Sequence, residues 1–176
     1  MDYFELCEKL ENVFDYVKSI YKDKFDNVDF IVSPQEHDQS RYSYDYDDET
    51  GDIKNQSITI CLEEYDAKHD FQTRYYNKVF DMELEHNYYT VLVRMLLHEC
   101  GHHFNIDYYK DRDEEYMYQL MNLERYYEWN TEEYEQAYRE IDEEHDADKF
   151  AADFMKVHIE QCMSIMNQEV TVCENM

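Results

Sequence analysis

The chain has 176 residues, of which 43% are hydrophobic; 16 are Lys or Arg and 43 are Asp or Glu, for a formal net charge of −27. This length and apolar content exclude a disordered chain and a fold that needs disulfides, and they predict a single domain over residues 1–176. The charge argues against direct binding to nucleic acids or anionic membranes and favours basic protein partners.

The N-terminal third of the chain predicts one helix followed by three strands. Apolar residues recur at helical spacing over residues 2–21, between charged residues. The segment "VDFIVSP" at 28–34 alternates and ends at the only proline of the chain, which predicts a short strand. Tyrosines alternate over 42–46 and aliphatic residues over 58–62, so we expect a hairpin that turns near Gly51.

The remainder of the chain predicts mainly helices. Residues 66–81 give a mixed polar signal that predicts a loop or an irregular helix. A wide apolar stripe predicts a helix over 86–105, and further helices are expected over 113–128 and, as one long helix, over 130–163. The expected fold is therefore α+β: an N-terminal helix, about three antiparallel strands, an active-site helix and C-terminal helices.

The start of the long helix resembles a capping box, with Asn130 or Thr131 as the cap. The residues after about 166 are expected to fray.

The cysteines and the N-terminus predict a cytoplasmic protein. The five cysteines form no CxxC pair, and their odd number favours free thiols over a disulfide framework. The N-terminal stretch "MDYFELCEKLENVF" is acidic and amphipathic, unlike a signal peptide. No apolar run approaches the length that spans a membrane.

The segment "HECGHH" at 98–103 contains the HExxH pattern of zinc hydrolases. His98 and His102 stand four residues apart, so in a helix both rings point to one side and can bind one ion. Glu99 is rotated by about 100° from His98, so it is free to act as the general base that activates a zinc-bound water. Gly101 lies inside the predicted helix, where glycine indicates close packing against another element.

A third ligand is expected from the later segment "DEEHDADKFAADFM". Glu144 and Asp148 stand four residues apart there, on a face with small apolar neighbours. Glu144 is the expected ligand and His145 the alternative, while Asp148 is expected to orient a ligand histidine through a hydrogen bond. His103 is expected off the ligand face, supporting the site or exposed, and Cys100 is expected to be a buried thiol.

The two segments together resemble the ImmA/IrrE-type gluzincin metallopeptidases. In that family the first helix reads HExGH, matched by "HECGH", and a later helix carries E-x-E-A-N/D-x-F-A, matched by "EHDADKFA" with Asp146 in place of the second glutamate. The resemblance implies a minimal zincin-like domain in which His98, His102 and Glu144 hold zinc. It also implies that "QSITICL" at 56–62 is the edge strand beside the cleft, to which an extended substrate can pair.

Two functions of different classes follow from these patterns. The first is a zinc-dependent endopeptidase that acts on an intracellular protein substrate, either a basic protein or a transcriptional regulator. The alternative is an acidic DNA mimic or inhibitor on a zincin scaffold that binds a basic or DNA-binding partner. A third hypothesis is a structural zinc site closed by a fourth ligand, for which His103 and His145 are the candidates.

The sequence does not decide the roles of several other residues. Four side chains are candidates for stabilising the oxyanion of an amide hydrolysis: Arg94, Tyr108, Tyr109 and His158. For three histidines the sequence indicates no interaction partner, and they are expected at the surface: His37, His69 and His86.

Overall fold

The computed structural model describes residues 3–34, 39–47, 49–62, 67–129 and 131–167. These residues form six helices and three strands, in the order α1 (Tyr3–Ile20), β1 (Val28–Ser33), β2 (Arg41–Tyr46), β3 (Ile53–Cys61), α2 (Ala67–Val79), α3 (Tyr88–Tyr109), α4 (Asp113–Tyr126), α5 (Glu132–Arg139) and α6 (Asp142–Asn167). The predicted α+β class, with its N-terminal helix and C-terminal helices, is confirmed. The predictions for His37, Asn130 and the frayed tail after residue 167 fall outside the described residues.

The sheet is mixed, and not antiparallel as predicted. Its strand order is β1-β3-β2. β2 and β3 form the expected antiparallel hairpin, with Gly51 at a φ of 73° in the turn, but β1 runs parallel to β3 with Val28 opposite Gln56. Alternating apolar residues determine which face of a strand is buried, but they do not encode the direction of its neighbour. The sequence pattern was therefore unable to reveal the parallel pairing.

β3 is the central strand of the sheet, which contradicts its implied role as a substrate-binding edge. Ser57, Ile58 and Thr59 pair with β1 on one side and with β2 on the other. Their main-chain groups are therefore already used by the two neighbouring strands. β2 is an edge strand, and Gln39 and Ser40, directly before it, line the cleft described below.

Two of the predicted helical regions also differ from the structure. The predicted loop or irregular helix over 66–81 contains the regular helix α2. Its buried side is largely polar or aromatic, including His69, Gln72, Thr73 and Tyr76, so a search for apolar periodicity gives a weak signal.

The predicted long helix over 130–163 is two helices, α5 and α6, separated at Glu140 and Ile141. Of the two predicted caps, Thr131 caps α5, since its hydroxyl accepts a hydrogen bond from the Tyr134 N–H at 3.1 Å. Neither glycine nor proline marks the break, and the buried Ile141 side chain anchors it to the interior.

Helices α3 and α6 cross at Gly101, where their backbones touch. A Cβ placed on Gly101 would lie 2.6 Å from the carbonyl oxygen of Ala147 and 2.7 Å from its Cα. The predicted close packing at Gly101 is confirmed, because only a residue without a side chain permits this approach. Around the crossing lies the apolar core, which includes Leu96, Leu97 and Met155.

None of the described helices is both long enough and apolar enough to cross a membrane.

Candidate metal centre

The crossing of α3 and α6 brings His98, His102 and Glu144 together. His98 Nε2 lies 3.1 Å from His102 Nε2 and 3.2 Å from Glu144 Oε2, and His102 Nε2 lies 3.7 Å from Glu144 Oε1. One nitrogen or oxygen atom of each residue lies within 4.8 Å of those of the other two. These three residues, which are the predicted ligand set, could bind a metal ion.

The geometry of these donor atoms fits a small divalent ion. Donors held tetrahedrally at about 2.0–2.1 Å from zinc stand about 3.4 Å apart, and the shortest donor separations here are 3.1 and 3.2 Å. Glu144 Oε2 is buried and faces His98 Nε2 at 3.2 Å, so in the metal-free protein the two atoms are paired only while Nε2 carries a proton. An ion that displaced this proton would bind both atoms and satisfy a buried oxygen that is otherwise costly.

Asp148 makes the hydrogen bond to a ligand histidine that the sequence predicted. His98 Nδ1 lies 2.8 Å from Asp148 Oδ1, while Tyr76 and Arg139 donate hydrogen bonds to the same oxygen at 2.6 and 3.2 Å. A proton held on Nδ1 leaves Nε2 free, on the side where His102 and Glu144 lie. Asp148 thereby holds the His98 ring with Nε2 toward His102 and Glu144.

Glu99 lies beside the proposed ligands without joining them. It is buried, and it borders the same cleft as His98 and Glu144. Burial raises the pKa of its carboxyl group, and the charges of His98 and His102 only partly offset this effect. A carboxylate whose pKa moves toward neutrality becomes a more effective general base.

A cleft with a volume of about 220 Å³ opens onto the centre. Its walls come from α2, α3, α5, the start of α6 and the residues before β2, and they include Glu99 and Glu144. Besides the centre itself, its lining includes Gln72, Arg94, Trp129, Tyr134, Tyr138 and Arg139.

Two residues that the sequence did not indicate complete the surroundings of Glu144. Tyr116 donates a hydrogen bond to Glu144 Oε1 at 2.8 Å, and Arg139 Nη1 lies 3.9 Å from Glu144 Oε2. Arg139 also contacts Asp148, nine residues later, which would be about 14 Å away along a continuous helix. The break between α5 and α6 is therefore what places Arg139 at the centre, and no sequence signal marked that break. Tyr116 is one of 19 tyrosines, none of which carried a distinguishing pattern.

The alternative ligand His145 and the histidine His103 both lie outside the group that could bind an ion. The His145 ring lies against Phe80, with ring centroids 5.7 Å apart. His103 donates a hydrogen bond from Nε2 to the carbonyl oxygen of Lys24 at 2.6 Å and is buried rather than exposed. Since neither histidine belongs to the metal-binding group, the hypothesis of a closed structural zinc site loses both of its named fourth ligands.

Of the four candidates for stabilising an oxyanion, only Arg94 borders the cleft. Tyr108 is exposed and stacks under the guanidinium of Arg112. The Tyr109 hydroxyl donates to Asp146, and the His158 ring lies 2.9 Å from the hydroxyl of Tyr16.

The remaining predictions for histidines and for Cys100 have mixed outcomes. His69 is buried, and not at the surface as expected. Its Nδ1 lies 2.9 Å from both Arg94 Nη2 and Gln72 Oε1, so polar neighbours surround the ring in the interior. His86 is exposed, as predicted. Cys100 is a buried thiol, as predicted, and burial raises its pKa well above the ordinary value.

Metal binding at this centre is expected to release protons. Burial by itself lowers the pKa of His98. The negative charge of Asp148, together with hydrogen bonds from His98 to Asp148 and Glu144, has the larger effect and raises this pKa to about 9. Below that pH the metal-free His98 holds a proton that an ion must displace, so zinc affinity should rise with pH toward about 9.

The measurement is zinc titration calorimetry near pH 7.5 in two buffers with different protonation enthalpies, which yields the number of protons released. We expect about one or more per ion, and fewer for Asp148→Asn, which removes the charge that holds the His98 proton. Equal heats in both buffers would contradict this expectation.

Comparisons of the chain with models of known protein families, with curated proteins and with solved structures find no match. The resemblance to ImmA/IrrE-type peptidases therefore stays a hypothesis that rests on the motif residues.

Proposed function

We propose that the protein is a zinc-dependent endopeptidase that hydrolyses a peptide bond in an intracellular protein. The observation that carries this proposal is the convergence of His98, His102 and Glu144 beside Glu99, at a cleft of about 220 Å³. Two imidazoles and one carboxylate suit zinc and leave a coordination position for catalysis. Bound zinc would supply Lewis acidity, which polarises an amide carbonyl and makes water acidic enough to be deprotonated near neutral pH.

Glu99 is the general base in this proposal. Its carboxylate takes a proton from the attacking water as the oxygen bonds to the amide carbon. It then delivers that proton to the amide nitrogen as the carbon–nitrogen bond breaks, leaving a carboxylic acid and an amine. The raised pKa of Glu99 strengthens it as the base that accepts the proton. A pKa that stays near the working pH still allows the same group to release that proton within one turnover.

We assign stabilisation of the developing oxyanion to Tyr138 and Arg139, which both line the cleft. The Tyr138 hydroxyl lies 3.4 Å from the hydroxyl of Tyr116, which itself donates to Glu144. Arg139 Nη1 lies 3.5 Å from both ring nitrogens of His98. Fixed donors in a site shielded from water stabilise developing charge strongly.

The proposed substrate is an extended protein segment that enters along the edge of β2. β2 is one of the two outer strands of the sheet, and the residues just before β2 border the cleft. Main-chain pairing would hold the segment in register with Glu99. The net charge of −27 steers basic substrates, including DNA-binding regulators, toward the enzyme. The cytoplasm is the proposed location.

The alternative function, an acidic mimic or inhibitor, rests on the net charge alone. A binding surface does not require a buried group of two histidines and a carboxylate with one histidine oriented by Asp148. The endopeptidase accounts for these buried polar residues, whose placement in the core is otherwise costly.

Zinc removal tests this proposal. The zinc-loaded protein is incubated with a mixed-sequence library of unstructured peptides, and new termini are identified by mass spectrometry. We expect one zinc per chain, cleavage by the loaded protein, loss of cleavage with a chelator, and recovery with zinc but not with magnesium. A protein that binds one zinc per chain and yields no new termini would contradict the proposal.

A further inference from the structure

Helix α4 carries apolar side chains on both of its sides. On its inner side, Leu123 is buried and Tyr116 reaches Glu144. On its outer side, Met117, Tyr118 and Met121 are 54%, 67% and 66% exposed. The outer side of α4 is not covered by any part of the chain that the structure describes.

Three further exposed aromatic side chains stand at the end of α4 and directly after it. Tyr126, Tyr127 and Trp129 are all exposed as well. We call the six residues together the α4 face: Met117, Tyr118, Met121, Tyr126, Tyr127 and Trp129. A groove of about 270 Å³ between α4 and α5 shares Tyr126 and Tyr127 with this face. Methionine and aromatic residues are typical of surfaces that bind other proteins, and contiguous exposed apolar residues indicate such a surface.

The charges around the α4 face are predominantly negative. Over residues 112–133 the only basic residues are Arg112 and Arg125. Two glutamates of this stretch, Glu115 and Glu132, pair with Arg112 and Arg74. Four further glutamates are exposed: Glu114, Glu124, Glu128 and Glu133. An apolar strip flanked by carboxylates complements a segment that is apolar on one side and rich in Lys and Arg beside it.

We propose that the α4 face binds a basic amphipathic helix of a partner protein. The apolar side of that helix would cover Met117, Met121 and Trp129, and its basic side chains would reach the surrounding glutamates. A second copy of this chain fits poorly, because each copy carries a net charge of −27 and the same acidic surroundings. This binding does not depend on the proposed hydrolysis.

Trp129 reports binding of a peptide, because it is the only tryptophan of the chain and its side chain is exposed. It also borders the cleft at Glu99, so the variants described below decide which of the two surfaces the peptide occupies. The probe is a synthetic peptide of Leu and Lys, about four helical turns long, with Leu at helical spacing. The comparison is a peptide of the same composition in scrambled order, at about 0.15 M salt to screen nonspecific attraction.

We expect the amphipathic peptide to shift Trp129 emission to shorter wavelength in a saturable manner and the scrambled peptide to bind at least tenfold more weakly. The titration uses metal-free protein, in which the proposed zinc-dependent hydrolysis cannot consume the peptide. Failure of the proposed hydrolysis would therefore leave this result unchanged.

Variants of the α4 face locate the binding. Replacing Met117 and Met121 together by serine is expected to weaken binding at least tenfold, whereas replacing both by leucine should preserve it. Val157→Ser, which removes an exposed apolar side chain from α6, is the matched control and should have no effect. Circular dichroism confirms that each variant is folded.

Three outcomes would overturn the proposal. The first is equal binding of the scrambled peptide, which would reduce the attraction to charge alone. The second is undiminished binding by the double serine variant. The third is concentration-dependent self-association without peptide, abolished by the same double substitution, which would assign the face to a second copy of the chain.

Discussion

Replacing Glu99 by glutamine is expected to reduce peptide hydrolysis by about 10²- to 10⁴-fold while zinc stays bound. Glutamine has nearly the same size but cannot accept the proton of the attacking water. The side chain lies at the cleft and outside the group of His98, His102 and Glu144, so metal affinity should change little. The measurement combines the initial rate of library cleavage with metal content after dialysis.

Glu160→Gln is the matched control for this experiment. Glu160 is exposed on α6, two turns of helix or more from Glu144 and Asp148, so its loss removes the same charge from the chain without reaching the centre. Its cleavage rate should equal that of wild type. A Glu99→Gln protein that binds zinc and cleaves at the wild-type rate would exclude Glu99 as the base.

Replacing Gly101 by alanine is expected to destabilise the fold by about 1–3 kcal/mol. At an open helix position this change would stabilise by about 1 kcal/mol, because alanine is the better helix former. Here the new Cβ would meet the backbone of Ala147 at 2.6 Å, and no side-chain rotation can relieve that contact. Helix α6 must move away, so the substitution destabilises the fold here instead of stabilising it.

The same movement should weaken metal binding, since α6 carries Glu144 and Asp148 whereas α3 carries His98 and His102. Urea denaturation of the metal-free protein measures the first effect, and zinc titration measures the second. Ser164→Ala, at an exposed position of α6, is the control and should alter stability by less than about 0.5 kcal/mol. A Gly101→Ala protein as stable as wild type would show that the crossing tolerates a side chain.

The parts of the centre that the sequence predicted share one property: each depends on spacing within a single helix. His98 and His102 face one side of α3, and Glu144 and Asp148 face one side of α6, whichever way the two helices are arranged. Gly101 indicated where another element packs against α3, because a glycine inside a helix usually allows another backbone to approach.

The residues that the sequence did not predict depend on contacts between distant parts of the chain. Arg139 reaches Asp148 through a helix break held by the buried Ile141, and Tyr116 reaches Glu144 from another helix. The position of His145 outside the group follows from packing as well, because its ring lies against Phe80, which directly follows α2. None of these contacts leaves a periodic pattern in the sequence.

By itself the sequence determined the α+β class, the hairpin, the helix that carries His98 and His102, and a helical segment that offers Glu144 or His145 as the third ligand. Each of these follows from local periodicity, turn residues or side-chain spacing, which act over a few residues. Only the tertiary structure decided that β1 pairs in parallel, that β3 is central, and that one predicted helix divides beside the metal centre. These features depend on which apolar surfaces of distant elements pack against one another, and a local sequence pattern does not encode that choice.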